Sequence, residues 1–253
     1  MTRICSFFSL ALLATGCGRV NPDPSQVPED AVDSSMDAPL DAPAMIRTVR
    51  VDTPTTVNAQ SISSSPLPLT AGNVVIAVPY WSDRTHQVAV SDSAGAFTWK
   101  SIERQSVAQG CAGGTNLQIF YAAIPSSRTV TVTATQPEGP GSMGLLLVEY
   151  SGLAADPLDG SAGMPAPRAS NTMTTGALAA TSFDVLVAAF HDSNGSGSMV
   201  PGPGFAVLAL DTDSYAMIAD QQVPPGSYEA TGRLPGTTMD ACWVASMIAL
   251  RAR

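Results

Sequence analysis

The stretch Arg128-Thr129-Val130-Thr131-Val132-Thr133-Ala134-Thr135 decides the fold class. In an extended chain successive side chains point to opposite faces, so Val130, Val132 and Ala134 share one side and the threonines the other. The β-branched residues that dominate it are stiff at χ1 and suit a pleated surface. It reads as a strand with one face on a core and one in water. Outward from it, the runs Asn73–Val78, Gly144–Val148, Phe183–Phe190 and Trp243–Leu250 are apolar on both sides. That pattern suits strands covered on both faces or at a sheet interface. Turn signals separate the runs: Ala71-Gly72-Asn73, Ser93-Ala94-Gly95, Gly139-Pro140-Gly141, Asn194-Gly195, Pro201-Gly202-Pro203-Gly204, Pro224-Pro225-Gly226 and Pro235-Gly236. About a dozen short strands at such intervals predict an all-β fold, an antiparallel jelly-roll-like β-sandwich over residues 45–253. The one helical turn the pattern admits lies near Leu153–Pro157.

Apolar residues make up 45% of the 253 and charged residues 13%, which supplies a core and excludes a wholly disordered chain. Twelve bases against 21 acids leave a net charge of −9. Phosphate binding needs a basic face, so the balance argues against nucleic acid as a partner. It argues equally against adsorption to an anionic membrane surface.

Before residue 45 the chain changes character. Arg3 followed by the apolar run Ile4–Leu13 has the form of a secretory signal and is too short for a membrane span. Leu13-Ala14-Thr15-Gly16-Cys17 resembles the lipobox of bacterial lipoproteins. The resemblance implies a signal peptide over 1–16, cleavage before Cys17, and acyl chains on Cys17 that hold the protein in a membrane. The bland alternative is an ordinary secretory peptide with an incidental cysteine. Gly18, where an aspartate is absent, matches the default for the outer membrane or cell surface of a Gram-negative-type bacterium. Residues 17–44 read as a lipidated cysteine and an acidic tether: from Gly18 to Ala44 there are five prolines, six acids, one base and no aromatic. Like charge with little apolar surface predicts disorder there. As a coil such a tether reaches roughly 30 Å, and about 80 Å in polyproline form.

Four cysteines fit an exported protein. Cys5 leaves with the signal, Cys17 carries lipid, and Cys111 and Cys242 remain to pair. The alternative is two separate buried thiols.

Candidate site residues are few. Tyr80-Trp81-Ser82-Asp83-Arg84 places two aromatics before a polar loop, a pattern in which Tyr80 and Trp81 could stack on a sugar and Asp83 and Arg84 bond its hydroxyls. The competing reading for Trp81 is a core or rim aromatic; Trp99 and Trp243 read as core. His191-Asp192 ends an apolar run, and His86 lies in a polar stretch, both readable as exposed histidines. Asp211, Asp213 and Asp220 suggest a structural calcium at most, against ordinary solvated acids, since calcium needs six to eight oxygens. No Gly-x-Ser-x-Gly, His-Glu-x-x-His or Cys-x-x-Cys occurs. Glu103, Glu138, Glu149 and Glu229 are not paired by anything in the sequence. No catalytic residue, metal site or cofactor is expected.

Five blocks recur in a fixed order: Thr70-Ala71-Gly72-Asn73, Val90-Ser91-Asp92-Ser93-Ala94-Gly95, Phe120-Tyr121-Ala122, Val148-Glu149-Tyr150-Ser151-Gly152-Leu153 and Pro157-Leu158-Asp159-Gly160. The series resembles a widespread β-sandwich domain of secreted bacterial proteins, and covers most of 45–253. Ala96 stands where that pattern carries Asn, and Asp156 where it often does. The resemblance implies a sandwich and no catalytic residues. Taken together, a surface lipoprotein presenting a non-catalytic recognition or structural module is expected, with a glycan, matrix or envelope protein as partner. The rivals are a hydrolase or lyase built on the sandwich, and a structural envelope subunit.

Overall fold

The computed structural model describes residues 46–82, 86–107, 114–165, 170–193, 199–211, 216–234 and 242–253. The expectations for residues 1–16 and 17–44, and for Asp83, Arg84, Cys111 and Asp213, fall outside them. Among the described residues there is no helix, and every strand pairing is antiparallel.

The strands fall into two halves. The first holds β1 (Arg47–Asp52), β2 (Thr55–Ala59), β3 (Ser61–Ser63), β4 (Leu67–Leu69), β5 (Val74–Trp81), β6 (Ala89–Asp92), β7 (Lys100–Ser101), β8 (Gln105–Val107), β9 (Thr115–Leu117), β10 (Phe120–Ala123), β11 (Arg128–Val130), β12 (Val132–Thr135) and β13 (Gly141–Ser151). The second holds β14 (Leu153–Pro165), β15 (Thr172–Ala180), β16 (Asp184–Asp192), β17 (Val200–Pro201), β18 (Ala206–Asp211), β19 (Ala216–Val223), β20 (Gly226–Arg233) and β21 (Trp243–Ala252). Leu153–Pro157 opens β14 rather than forming a helical turn: Leu153 pairs with Ala252 and Leu158 with Leu250 of β21, with an irregularity between them.

Four layers result, where the sequence suggested two. An inner sheet of the first half runs β1-β13-β5-β10-β7, with β2, β9 and β8 attached, and an inner sheet of the second runs β14-β21-β16-β19-β18. They face each other through one core in which Ile76, Val78 and Val148 meet Val187, Ala189 and Ile248. Outside the first lie β3-β12-β6 and β4-β11; outside the second lies β15-β20-β17. Val75, Ala77, Leu145 and Leu147 point outward to Val130, Val132 and Ala134, and Leu186, Ala188 and Phe190 point outward to Met173, Leu178 and Ala230. Alternate residues of β5 and β16 thus enter different cores. That is why both strands are buried along their whole length and show no polar alternation.

The deciding stretch behaves as its spacing predicts. Val130, Val132 and Ala134 are at most 1% exposed. The ordered blocks also acquire structural reasons. Glu149, buried, accepts hydrogen bonds from the Thr70 backbone N–H (2.9 Å) and the Asn73 amide (2.8 Å), joining the first block to the fourth. The Asp92 carboxylate accepts from the N–H groups of Ala94, Ala96 and Phe97, and Gly95 takes the φ of 59° that closes this turn. Tyr150 is packed and its hydroxyl donates to Asp220 at 3.0 Å.

The inner sheets have two distinct poles. Arg47 pairs with Ser151, Leu153 with Ala252, and Gln222 bonds the carbonyl of Ile46, so the folded chain begins, crosses between halves and ends at a proximal pole. β5, β16, β18 and the start of β21 bring Trp81, Asp192, Asp211 and Trp243 to the opposite, distal pole.

Candidate functional site

Polar residues at the ends of apolar strands converge at the distal pole. β5 delivers Tyr80, β9 Thr115 and Asn116, β16 His191 and Asp192, and β18 Asp211. All six are at most 4% exposed. The Tyr80 hydroxyl donates to Asp211 Oδ2, and its ring lies 4.9 Å from the His191 ring at a 44° tilt. The Thr115 and Ser193 hydroxyls bond at 2.6 Å, and Thr115 Oγ1 donates to the Cys242 carbonyl at 3.1 Å. Asn116 donates to the carbonyl of Trp81 at 3.1 Å. These bonds tie the first inner sheet to the second where the apolar interface ends. Cys242, beside them, is disulfide-bonded.

Several expectations change here. Tyr80 and Trp81 are each 1% exposed, so neither offers a face to a sugar. Their position before a polar loop suggested a rim, but a second inner sheet covers Tyr80, and Trp81 packs into the outer core of the first half. The Trp81 indole N–H donates to the carbonyl of His86 at 3.2 Å. His191 is not a solvent-exposed strand-end residue but sits 4% exposed inside β16. His86 Nδ1 lies 2.6 Å from Gln136 Oε1. Trp243 is core, as read, and its indole N–H donates to the Ser170 carbonyl at 3.0 Å. Of the three acids proposed for calcium, Asp211 is at the distal pole bound to Tyr80, whereas Asp220 pairs with Val187, four positions below His191 along β16. At about 3.3 Å per residue they do not converge. Among the described residues no group of three or more His, Cys, Asp or Glu is placed to hold a metal.

The Tyr80–His191–Asp211 grouping was not anticipated as a unit. Its one signal in the sequence is that Tyr80-Trp81-Ser82 and His191-Asp192-Ser193 each close an apolar run with three polar or aromatic residues. Which of them would meet depends on how the sheets stack.

Elsewhere, a cleft of about 270 Å³ lies beside Lys100, Tyr121, Asp156 and Pro157. Lys100 and Asp156 pair across it at 2.8 Å, each well exposed, and Lys100 sits 5.9 Å from the Tyr121 ring centre. The ion pair raises the lysine and lowers the aspartate, and as an exposed pair it contributes little. At the proximal pole, Asp159 accepts from Thr181 N–H (2.6 Å) and Oγ1 (2.7 Å), which holds its carboxyl below the ordinary range. Its neighbour Asp184, fully buried, is pushed up by burial. The two carboxyls therefore titrate apart and lock β14 to the start of β16.

Burial also raises Asp220, although the Tyr150 hydroxyl bonded to it opposes the shift. A carboxyl raised on folding contributes stability that is complete below its unfolded value of about 3.9 and lost as pH rises through the folded value. Asp220→Asn keeps an acceptor for Tyr150 and removes the titration. It is expected to be more stable than wild type at neutral pH, with the gain shrinking as pH falls toward 4 in urea titrations. An equal difference at both pH values would contradict the assignment.

Comparison with protein-family models, curated proteins and solved structures gives no match. The chemistry of the distal pole therefore stands on its own residues.

Proposed function

We propose that this protein is a surface-anchored lipoprotein that presents a non-catalytic recognition module, with its distal pole as the outward face. The observation that carries this reading is the polarity of the folded unit. The described chain enters at Ile46, at the proximal pole, the lipid attachment expected at Cys17 precedes it in sequence, and the distal pole is the end farthest along the strands from that entry point. The strand ends at Trp81, Asp192 and Asp211 all lie at that pole. The hydrogen-bonded layer beneath gives those strand ends a rigid base. Tyr80 and Trp81 are buried and offer no face to a pyranose, which favours a protein or matrix partner over a sugar stacked on that pair.

Two measurements test this. Metabolic labelling with palmitate is expected to mark the wild type and not Cys17→Ala; label on both would remove the anchor. Surface-immobilised ectodomain is expected to retain an envelope or matrix protein from washed cells, and a glycan array to stay blank. Retention of nothing would leave the structural-subunit reading, and turnover in a hydrolase panel abolished by His191→Ala would replace the proposal with an enzyme.

A further inference from the structure

The two halves repeat one another strand by strand. Numbered from its own start, each inner sheet is ordered first strand, last strand, central strand, then the two that follow in reverse: β1-β13-β5-β10-β7 and β14-β21-β16-β19-β18. Each outer sheet takes a strand that precedes the central one, the strand before the last, and the strand after the central one: β3-β12-β6, with the pair β4-β11 prolonging β3-β12, and β15-β20-β17. The registers agree as well. β13 lies on β5 without a slip from Met143–Trp81 to Tyr150–Val74, and β21 lies on β16 without a slip from Trp243–Asp192 to Leu250–Val185. One displacement of 111 residues carries Val74 to Val185 and Trp81 to Asp192, and one of 100 carries Met143 to Trp243 and Tyr150 to Leu250.

Irregularities repeat too. One extra residue separates the pair Ser101–Phe120 from Gln105–Leu117 in the first half, and Val207–Ala219 from Ala209–Ile218 in the second. Another separates Ser63–Thr133 from Leu67–Val130, and Thr174–Thr231 from Ala177–Glu229. Bulges at matching places, on matching strands, are specific features that chance convergence on a sandwich does not require.

The halves also meet as two copies would. Tyr80 and His191 occupy equivalent positions, 111 residues apart, and their rings touch each other. A residue that contacts its own equivalent lies on a two-fold axis, as in an isologous dimer. We infer that residues 46–253 are a fused dimer: two copies of one sandwich module, arisen by tandem duplication, whose inner sheets are shaped to bind a second copy of the module, here supplied within the same chain. The interior of that interface stays apolar in both copies, with Ile76 matching Val187, Val78 matching Ala189 and Val148 matching Ile248. The distal pole has diverged: Tyr80 against His191, Trp81 against Asp192, Gln105 against Asp211. The Tyr80–Asp211 bond needs one half of each kind, so it selects the mixed pair over either self-pair.

The test cuts the connection between the copies. A protease-cleavage sequence placed after Gly152, between β13 and β14, is introduced into the mature chain, and the folded protein is cut in reducing buffer so that no disulfide holds the pieces. The two fragments are expected to elute together at the intact size and to keep the strand circular dichroism of the uncut protein. Separation of the fragments, or loss of the signal on cutting, overturns the inference. Should the insertion itself prevent folding, a circular permutant that opens at Gly152 and joins Arg253 to Ile46 by a short linker replaces it. A folded permutant supports two interchangeable modules, and failure of both variants overturns them. In the cut protein, Tyr80→Phe is expected to weaken fragment association about tenfold; an unchanged dissociation constant would remove the pairing role of the Tyr80–Asp211 bond.

Discussion

Cys242→Ser is expected to lower the unfolding free energy by about 4–5 kcal/mol. Cys242 is disulfide-bonded, and the partner expected from the sequence is Cys111. A bridge between these two would close a loop of about 130 residues, and in the chain-entropy account a loop of that length restricts the unfolded chain strongly. It would also join the two halves, so its loss would act on the interface between them. Urea unfolding should give the same midpoint for Cys111→Ser, Cys242→Ser and the double variant, because each removes the same bond. Additive losses, or no loss for Cys111→Ser, would show that the pairing is different.

The second large effect is expected at Gly144. A Cβ built there falls into the Tyr80 ring and hydroxyl. Gly144 pairs with Tyr80 across β13 and β5, so the glycine is the space in which the tyrosine lies down toward the second half. Gly144→Val would force Tyr80 off Asp211. Overpacking of a tight core costs roughly 1–3 kcal/mol. Losing the Tyr80 hydrogen bond to the buried Asp211 adds about 1–3 more. A total near 3–5 kcal/mol is expected from urea midpoints, with Gly144→Ala intermediate. A Gly144→Ala variant within 0.5 kcal/mol of wild type would show that Tyr80 moves aside freely.

Much of the fold was legible because its causes are local. Val130, Val132 and Ala134 are buried and their threonine neighbours partly open, as the period of two required. Gly72 and Gly95 take φ of 80° and 59°, the values their turns demand. The buried Asp92 closes a local turn through the N–H groups of Ala94, Ala96 and Phe97, whereas the role of the buried Glu149 was not legible: its carboxylate bonds Thr70 and Asn73, more than seventy positions away. The burial of Tyr80 was hidden for the same reason, because the second half covers it. Trp81 follows its alternative reading as a core aromatic, within the outer core of the first half.

By itself the sequence determined the class of structure, through strand periodicity and turn chemistry. Side-chain alternation and glycine backbone freedom act over a few residues, so composition and spacing carry them fully. Only the tertiary structure decided that two sandwiches lie face to face, that Tyr80 meets His191 and Asp211, and that the strand ends bearing them point away from where the chain enters. Those outcomes depend on which apolar face covers which, and the central strands β5, β13, β16 and β21 are apolar on both faces. The hydrophobic effect drives such faces together without direction, so shape and a few buried polar bonds choose the arrangement.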